Sequence, residues 1–311
     1  MSYVLGERRV KRLSAVLFAG VLCGGAFPAP AEQLATNLPP VTVQGLRPSQ
    51  ELVGPYNQPQ WTARGRFSSD TEVYVLPPNT FFVDLDYTGT VPRHGGETRN
   101  LFTQEFEMGL SHRFQIAYEN NFTLQKQHSQ VTEETIEGRY ALADWGEMPL
   151  NPTLFGEYHF GVGKDCGGED SEDTPDSVEG RLLLGEQFAE KYQWALNLFH
   201  EFETGGEREW ETGFSQALSY AVRDEYLKVG IEMQFIRRTE DGERGDPEYE
   251  FDIGPNVTVK PSARTRFDLA TLFGATEDSP AVGIYAVFSV AFGQGAEPGG
   301  ESEGPVSTQH R

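Results

Sequence analysis

The sequence predicts an all-β fold: a transmembrane antiparallel up-and-down β-barrel of about twelve strands, ten being the other count it allows, with an extended N-terminal arm. Three observations predict it. Runs of about ten residues alternate apolar and polar side chains, the period of two that a strand imposes. Short turns alternate with long polar loops along the chain, as in a barrel with a turn side and a loop side. The N-terminus has the parts of an export signal.

That signal covers residues 1–31. Arg8, Arg9, Lys11 and Arg12 precede the apolar run Leu13 to Leu22, and Ala29-Pro30-Ala31 precedes Glu32. The run is well short of the roughly 20 residues a helical span needs, so a cleaved signal peptide is expected rather than an anchor. Cys23 raises a lipoprotein alternative, but Leu22 stands where that processing signal carries a small residue. Cleavage removes four basic residues and one acidic residue, taking the net charge from -22 to -25. Such a surface repels phosphate backbones, and no nucleic-acid partner is expected. Only Cys166 remains in the mature chain, so no internal disulfide forms. A mean hydropathy of -0.48 argues against helical spans only, because barrel strands hide their apolar half in alternation.

Residues 32–79 read as an extended periplasmic arm. Pro39, Pro40, Pro55, Pro59, Pro77 and Pro78 interrupt any regular pattern, and Gly45, Gly54 and Gly65 add bends. Within the arm, Val41-Thr42-Val43 resembles the short box that TonB-dependent transporters offer as an added strand to a periplasmic energising partner. A plain periplasmic tail accounts for the same few residues, and the plug domain of such transporters does not fit before residue 80.

The barrel is expected over 80–293. Phe81, Val83, Leu85 and Tyr87 alternate with Asp84 and Asp86; Phe102, Phe106 and Met108 alternate with Glu105 and Glu107. After the Ser111-His112-Arg113 turn, Phe114, Ile116 and Tyr118 oppose Glu119, completing a hairpin. Ile136 and Tyr140 oppose Glu137 and Arg139, and Leu154 and Tyr158 oppose Glu157. Val178, Leu182 and Leu184 oppose Glu179 and Arg181, and Trp194, Leu196 and Leu198 oppose Asn197 and Glu201. Glu186 shares the apolar face of its run and is expected at a rim, where a charge costs little. The alternation is diluted over 210–222, where Gln216 sits beside Phe214 and Leu218. It returns with Val229, Ile231 and Met233 against Lys228 and Glu232, and with Phe251 and Ile253 against Glu250 and Asp252. The clearest runs come last: Phe267, Leu269 and Phe273 against Arg266 and Asp268, then Ile284, Ala286, Phe288, Val290 and Phe292.

Short connections at 111–113, 189–191, 223–225 and 260–263 are expected at the periplasmic rim, and longer ones at 92–100, 163–177, 204–209, 239–247 and 275–280 outside. The loop at 164–176 holds six carboxylates and one lysine, which cannot bury themselves. Residues 294–311, rich in Gly, Glu and Pro, are expected to form a disordered tail. Many outer-membrane barrels end on the aromatic residue that their assembly machinery recognises; here Phe292 is followed by this tail.

The expected inner face carries Asp84, Asp86, Glu105, Glu107, Glu119, Glu137, Arg139, Glu157, Glu179, Arg181, Glu201, Glu232, Glu250, Asp252, Arg266 and Asp268. These are the candidate lumen-lining residues. A wet interior needs polar walls whatever its use, and an acidic lining also favours cations over anions. Carboxylates two apart on a strand merely share a face, so they do not by themselves make an acid/base pair. Bulky Phe82, Phe155 and Phe199 point inward as well, a pattern suited to a plugged barrel. None of the 6 histidines has metal-ligand spacing such as HExxH, and the chain carries no CxxC and no Gly-rich phosphate loop, so no cofactor, metal or catalytic set is expected. His128-Ser129 lacks the third member of a hydrolase triad.

Two segments carry a resemblance to a family. Gly109-Leu110-Ser111-His112-Arg113-Phe114-Gln115-Ile116, and Gly254-Pro255 leading through Lys260-Pro261-Ser262-Ala263-Arg264 to Phe267-Asp268-Leu269-Ala270 and Phe273-Gly274, resemble outer-membrane β-barrel channels described as meta-pathway phenol-degradation or transporter-like proteins. The resemblance covers about 80–293 and implies passage of small solutes, aromatic ones included, without supplying a residue-level site. The resulting expectation is a passive channel or uptake pore in the cell outer membrane, not an enzyme. Outer-membrane lipid, the barrel-assembly machinery and small solutes are its expected partners. A plugged structural or partner-docking barrel stands second, and an outer-membrane hydrolase third.

Overall fold

The computed structural model describes residues 52–64, 67–69, 71–125, 128–164, 173–205, 208–223, 226–240 and 245–293. The export signal, Val41–Val43, Cys166, the side chains of His128 and Ser129, and the C-terminal tail lie outside the described residues.

Two short strands, β1 (Leu52–Val53) and β2 (Gln58–Pro59), pair as a small hairpin. Its turn needs positive φ at Gly54 and Asn57, residue types that take it at little cost. A single 3-10 turn, Thr62–Arg64, follows. Twelve antiparallel strands come next: β3 (Thr80–Val91), β4 (Arg99–Gly109), β5 (Phe114–Gln125), β6 (His128–Ala141), β7 (Thr153–Gly161) and β8 (Ser177–Phe188), then β9 (Tyr192–Glu203), β10 (Glu209–Arg223), β11 (Leu227–Glu240), β12 (Glu248–Val259), β13 (Thr265–Gly274) and β14 (Val282–Gly293). Each pairs with its sequence neighbours and β14 closes on β3, so the cylinder has no free edge. The count is twelve.

Alternation becomes a two-faced wall. On β6 Ile136 is 54% exposed and Glu137 only 3%; on β7 Leu154 is 49% exposed and Phe155 7%. Exposed apolar side chains ring the whole cylinder, a hydrocarbon-facing surface that a water-soluble protein does not present. Aromatic residues gather toward the strand ends, with Phe81, Tyr140, Tyr192 and Phe292 at one rim and Phe102, Phe160, Phe202 and Tyr249 toward the other, as interfacial girdles do. Glu186 lies two residues from the end of β8, among girdle residues.

The rim holding the start of β3 and the end of β14 also carries the short connections after β4, β8, β10 and β12, which makes it the periplasmic rim. One long connection, 142–152 between β6 and β7, lies on this side as well. It reaches inward: the Trp145 amide donates to the Tyr56 carbonyl at 2.9 Å.

The structure places part of the arm: the described residues of 56–76 lie in the barrel interior. Ser69 donates from backbone and hydroxyl to Glu232 on β11, while Glu72 reaches Arg139 on β6 across the ring. Trp61, Phe67, Val73, Tyr74 and Val75 are buried there with Ala141, Ala195 and Ala217 of the wall. The physical reason is apolar area, since a solvated tail has no use for five large apolar side chains within fifteen residues. The wall makes room with small residues: a Cβ added at Gly185 on β8 would lie 2.8 Å from Val73 Cγ1.

Trp61 anchors this inner segment. It is 2% exposed, donates from Nε1 to Gln187 at 3.0 Å, and packs edge-on against Trp145 at 5.8 Å. Trp61→Ala is expected to weaken docking of the segment by about 3–5 kcal/mol, the usual cost of truncating a buried large aromatic. Limited proteolysis of the folded protein checks it, because cleavage between residues 56 and 76 should accelerate strongly.

Candidate functional site

The site is the barrel interior, built by the buried face of the strands and by the inner segment. Asp84, Glu105, Glu107, Glu137, Arg139, Glu157, Glu179, Glu232, Asp252, Arg266 and Asp268 are buried, and Asp86, Glu119, Arg181, Glu201 and Glu250 are half-buried.

Strand register adds an order that composition cannot show. Glu137 on β6 stands opposite Glu157 on β7, Glu157 opposite Glu179 on β8, Glu179 opposite Glu201 on β9, and Glu201 opposite Glu211 on β10. Five glutamates therefore occupy five adjacent strands in one continuous row, with neighbours spaced by about 5 Å of sheet. Arg238 on β11 and Glu248 on β12 extend it. The row climbs: it starts four residues from the periplasmic ends of β6 and β7 and reaches within two residues of the outer ends of β8, β9 and β10. Like charges placed opposite one another destabilise a sheet unless something answers them.

Two arginines answer them one step lower. Arg139, Phe155 and Arg181 are cross-strand neighbours on β6, β7 and β8, and the ring lies between the guanidiniums at 5.2 and 4.7 Å. Arg139 bonds Glu137, reaches Glu72 of the inner segment at 2.6 Å, and has Glu107 at 3.4 Å and Glu105 at 4.0 Å. Arg181 bonds Glu179 and reaches Glu157 at 3.2 Å. His159 Nδ1 and Nε2 lie 3.1 Å from Glu133 and 3.1 Å from Glu157. On the far wall Arg266 bonds Asp268, which also accepts from Thr258.

At the outer mouth Arg238 gathers Glu209 at 2.6 Å, Glu211 at 2.6 Å and Glu250 at 2.8 Å, with Glu248 at 3.9 Å. The sequence reading had not singled out Arg238, Glu209 or Glu211. The available signal was the placement of Glu209 and Glu211 on the alternate face of a strand, which the diluted pattern over 210–222 obscured.

Three polar latches hold the inner segment. Glu232 accepts the Ser68 and Ser69 amides at 3.1 and 2.8 Å and Asn256 Nδ2 at 2.7 Å. Asn197 clamps the Glu72 backbone, accepting its amide at 2.7 Å and donating to its carbonyl at 2.8 Å. Gln115 accepts the Leu76 amide at 2.8 Å and donates to Glu107 at 2.8 Å. Toward the periplasmic rim the Tyr56 hydroxyl donates to the Leu110 carbonyl at 3.0 Å and that of Tyr74 to Ala143 at 2.6 Å. Burial pushes both phenols above their ordinary pKa, so they stay neutral donors.

Two trios, Glu157/His159/Glu179 and Glu105/Glu119/Glu137, bring ligand-type atoms within 4.8 Å of one another. Arg181 sits on both glutamates of the first, and Arg139 bonds Glu137 and lies 4.0 Å from Glu105 in the second. A guanidinium thus already takes the place of a cation in each.

Closed twelve-stranded topology, a hydrocarbon-facing exterior, aromatic girdles and a charged interior define the class: this chain is a transmembrane β-barrel of the outer membrane, surrounded by lipid. Among solved structures it is similar to an outer membrane channel from Pseudomonas putida F1, with 13% identity and a TM-score of 0.55 over 73% of this chain and 100% of that one. Looser likenesses are to the translocator domain of the autotransporter NalP from Neisseria meningitidis (9% identity, TM-score 0.40, 72% of this chain and 90% of that one) and to OmpT, an outer membrane protein of Vibrio cholerae (10% identity, TM-score 0.35, 68% and 96%). No family model matches the chain, and no curated protein matches it. The first likeness agrees with the resemblance drawn from residues 80–293, at the level of fold.

Proposed function

We propose that this barrel is a narrow channel for small cationic or neutral solutes, with the inner segment as its constriction and the climbing row of glutamates as its selective lining. The observation that carries the reading is that row, from Glu137 to Glu211 on five adjacent strands, leading from the middle of the barrel to its outer mouth. A water-filled path beside fixed carboxylates concentrates cations and excludes anions. The sixteen candidate lining residues act as that wall, and the outer loops limit what reaches it. Planar bilayers holding a potassium chloride gradient test it. Small steps with a reversal potential on the cation side are expected, and Glu201→Gln with Glu211→Gln should move that potential toward zero. An anion-side potential would remove the proposal.

A plugged barrel without transport is the second reading, favoured by the apolar cluster of Trp61, Val73, Tyr74 and Val75 within the periplasmic half. It expects no conductance steps from the intact chain.

A further inference from the structure

We propose that the outward face of β9 to β12, just inside the outer rim, binds the phosphate group of an outer-leaflet lipid. The site lies outside the wall, so it goes beyond the channel reading and does not depend on it. His200, Thr212, Arg237 and Tyr249 are cross-strand partners on these four strands and form one row. Each lies within three residues of the outer end of its strand. They take the outward positions, since Glu201, Glu211, Arg238 and Glu250 beside them hold the inward ones.

The two consecutive arginines of β11 differ in what answers them. Arg238 faces inward and gathers Glu209, Glu211 and Glu250. Arg237 faces outward and has no ion pair or hydrogen bond with any described residue. A single guanidinium near the interface is met by water or by any headgroup, and by itself it selects no ligand. Its neighbours do. Thr212 Oγ1 lies 2.7 Å from His200 Nδ1; with the hydroxyl donating there, Nε2 keeps its proton and is a further donor. The Tyr249 hydroxyl has no partner among the described residues, and Asp278 meets this residue at its backbone amide, at 2.9 Å. In a chain of net charge -22 the row itself holds no carboxylate. A phosphate, negatively charged and accepting on its free oxygens, is complementary to such a set, and a guanidinium fork matches two of those oxygens.

The surface below the row favours a lipid over a free phosphate. One step toward the membrane centre, Leu198, Phe214, Phe235 and Phe251 form the next outward row on the same four strands. The rings of Phe214, Phe235 and Tyr249 stack in sequence, at 5.7 and 6.3 Å between centroids. An acyl chain descending from the phosphate lies against that surface. Inorganic phosphate gains nothing from it.

Native mass spectrometry of the full chain in dodecyl maltoside micelles, titrated with dioleoyl phosphatidic acid, tests the proposal. Dioleoylglycerol, with the same chains and no phosphate, and inorganic phosphate, with no chains, are run in parallel. Saturable binding is expected for phosphatidic acid, and weaker binding for both of the others. Arg237→Gln should weaken phosphatidic acid about tenfold, the loss of a hydrogen bond to a charged group. Arg237→Lys, which keeps the charge and loses the fork, should fall between, and Thr212→Val should weaken binding as well. Lys191→Gln removes one positive charge at the opposite rim and should change nothing. The proposal is overturned by equal binding of dioleoylglycerol, by inorganic phosphate binding as tightly as the lipid, by unchanged affinity in both Arg237→Gln and Thr212→Val, or by an equal loss in Lys191→Gln.

Discussion

Deletion of residues 56–76 is expected to raise single-channel conductance several-fold over the intact chain. A barrel of eight strands is filled by its own side chains and one of sixteen leaves an aqueous channel, so twelve strands enclose a space that a single crossing strand of chain can obstruct. In the proposed channel that obstruction is the stretch from Tyr56 to Leu76, latched by Glu232, Asn197 and Gln115. Its removal leaves Ala141, Ala195 and Ala217, small residues that cannot fill the space themselves. The cylinder should survive, because its strands pair around the full circle without the segment. Planar-bilayer recording of both chains checks this, with heat-modifiable gel migration as the control for folding. Equal conductance would mean that the segment does not set the constriction.

Arg139→Met is expected to be the most damaging single substitution in the wall. It removes the guanidinium that meets Glu72, Glu107 and Glu137 and leaves those carboxylates buried without it. Removing one partner from a buried ion pair costs about 3–5 kcal/mol, mainly because the other charge stays behind. A correspondingly lower urea midpoint for the folded barrel is the measurement. Adding Glu137→Gln to Arg139→Met should recover part of the loss, since it deletes one of the stranded charges, and the size of the recovery reads the coupling directly. Loss of the Arg139 contact to Glu72 should also make the inner segment easier to cleave.

The wall was readable before the structure because a strand in a barrel faces lipid on one side, and that single constraint writes a period of two into every segment. Ile284, Phe288 and Phe292 announce their face as plainly as Asp84 and Asp86 announce theirs. The strand over 209–223 was the hardest to read, since Thr212 and Gln216 fall on its outward face between Trp210, Phe214 and Leu218. Its neighbours resolve it: Phe214 stands opposite both Leu198 and Phe235.

Where the inner segment lies was not legible in the sequence, for a physical reason. Its prolines and glycines mark irregular chain equally well whether that chain lies in water or is folded into a cavity. Trp61, Phe67, Val73, Tyr74 and Val75 were the available clue, because so much apolar surface needs a covering that a periplasmic tail lacks.

Local alternation settled the fold class, the membrane setting and which side chains share a face, because these depend only on each strand's own pattern. The row from Glu137 to Glu211, the ring of Phe155 between Arg139 and Arg181, and the chain drawn through the interior were decided by tertiary structure alone. Each depends on how far one strand slides past the next, or on contacts between residues as distant as Ser69 and Glu232, and no stretch of sequence carries that information by itself.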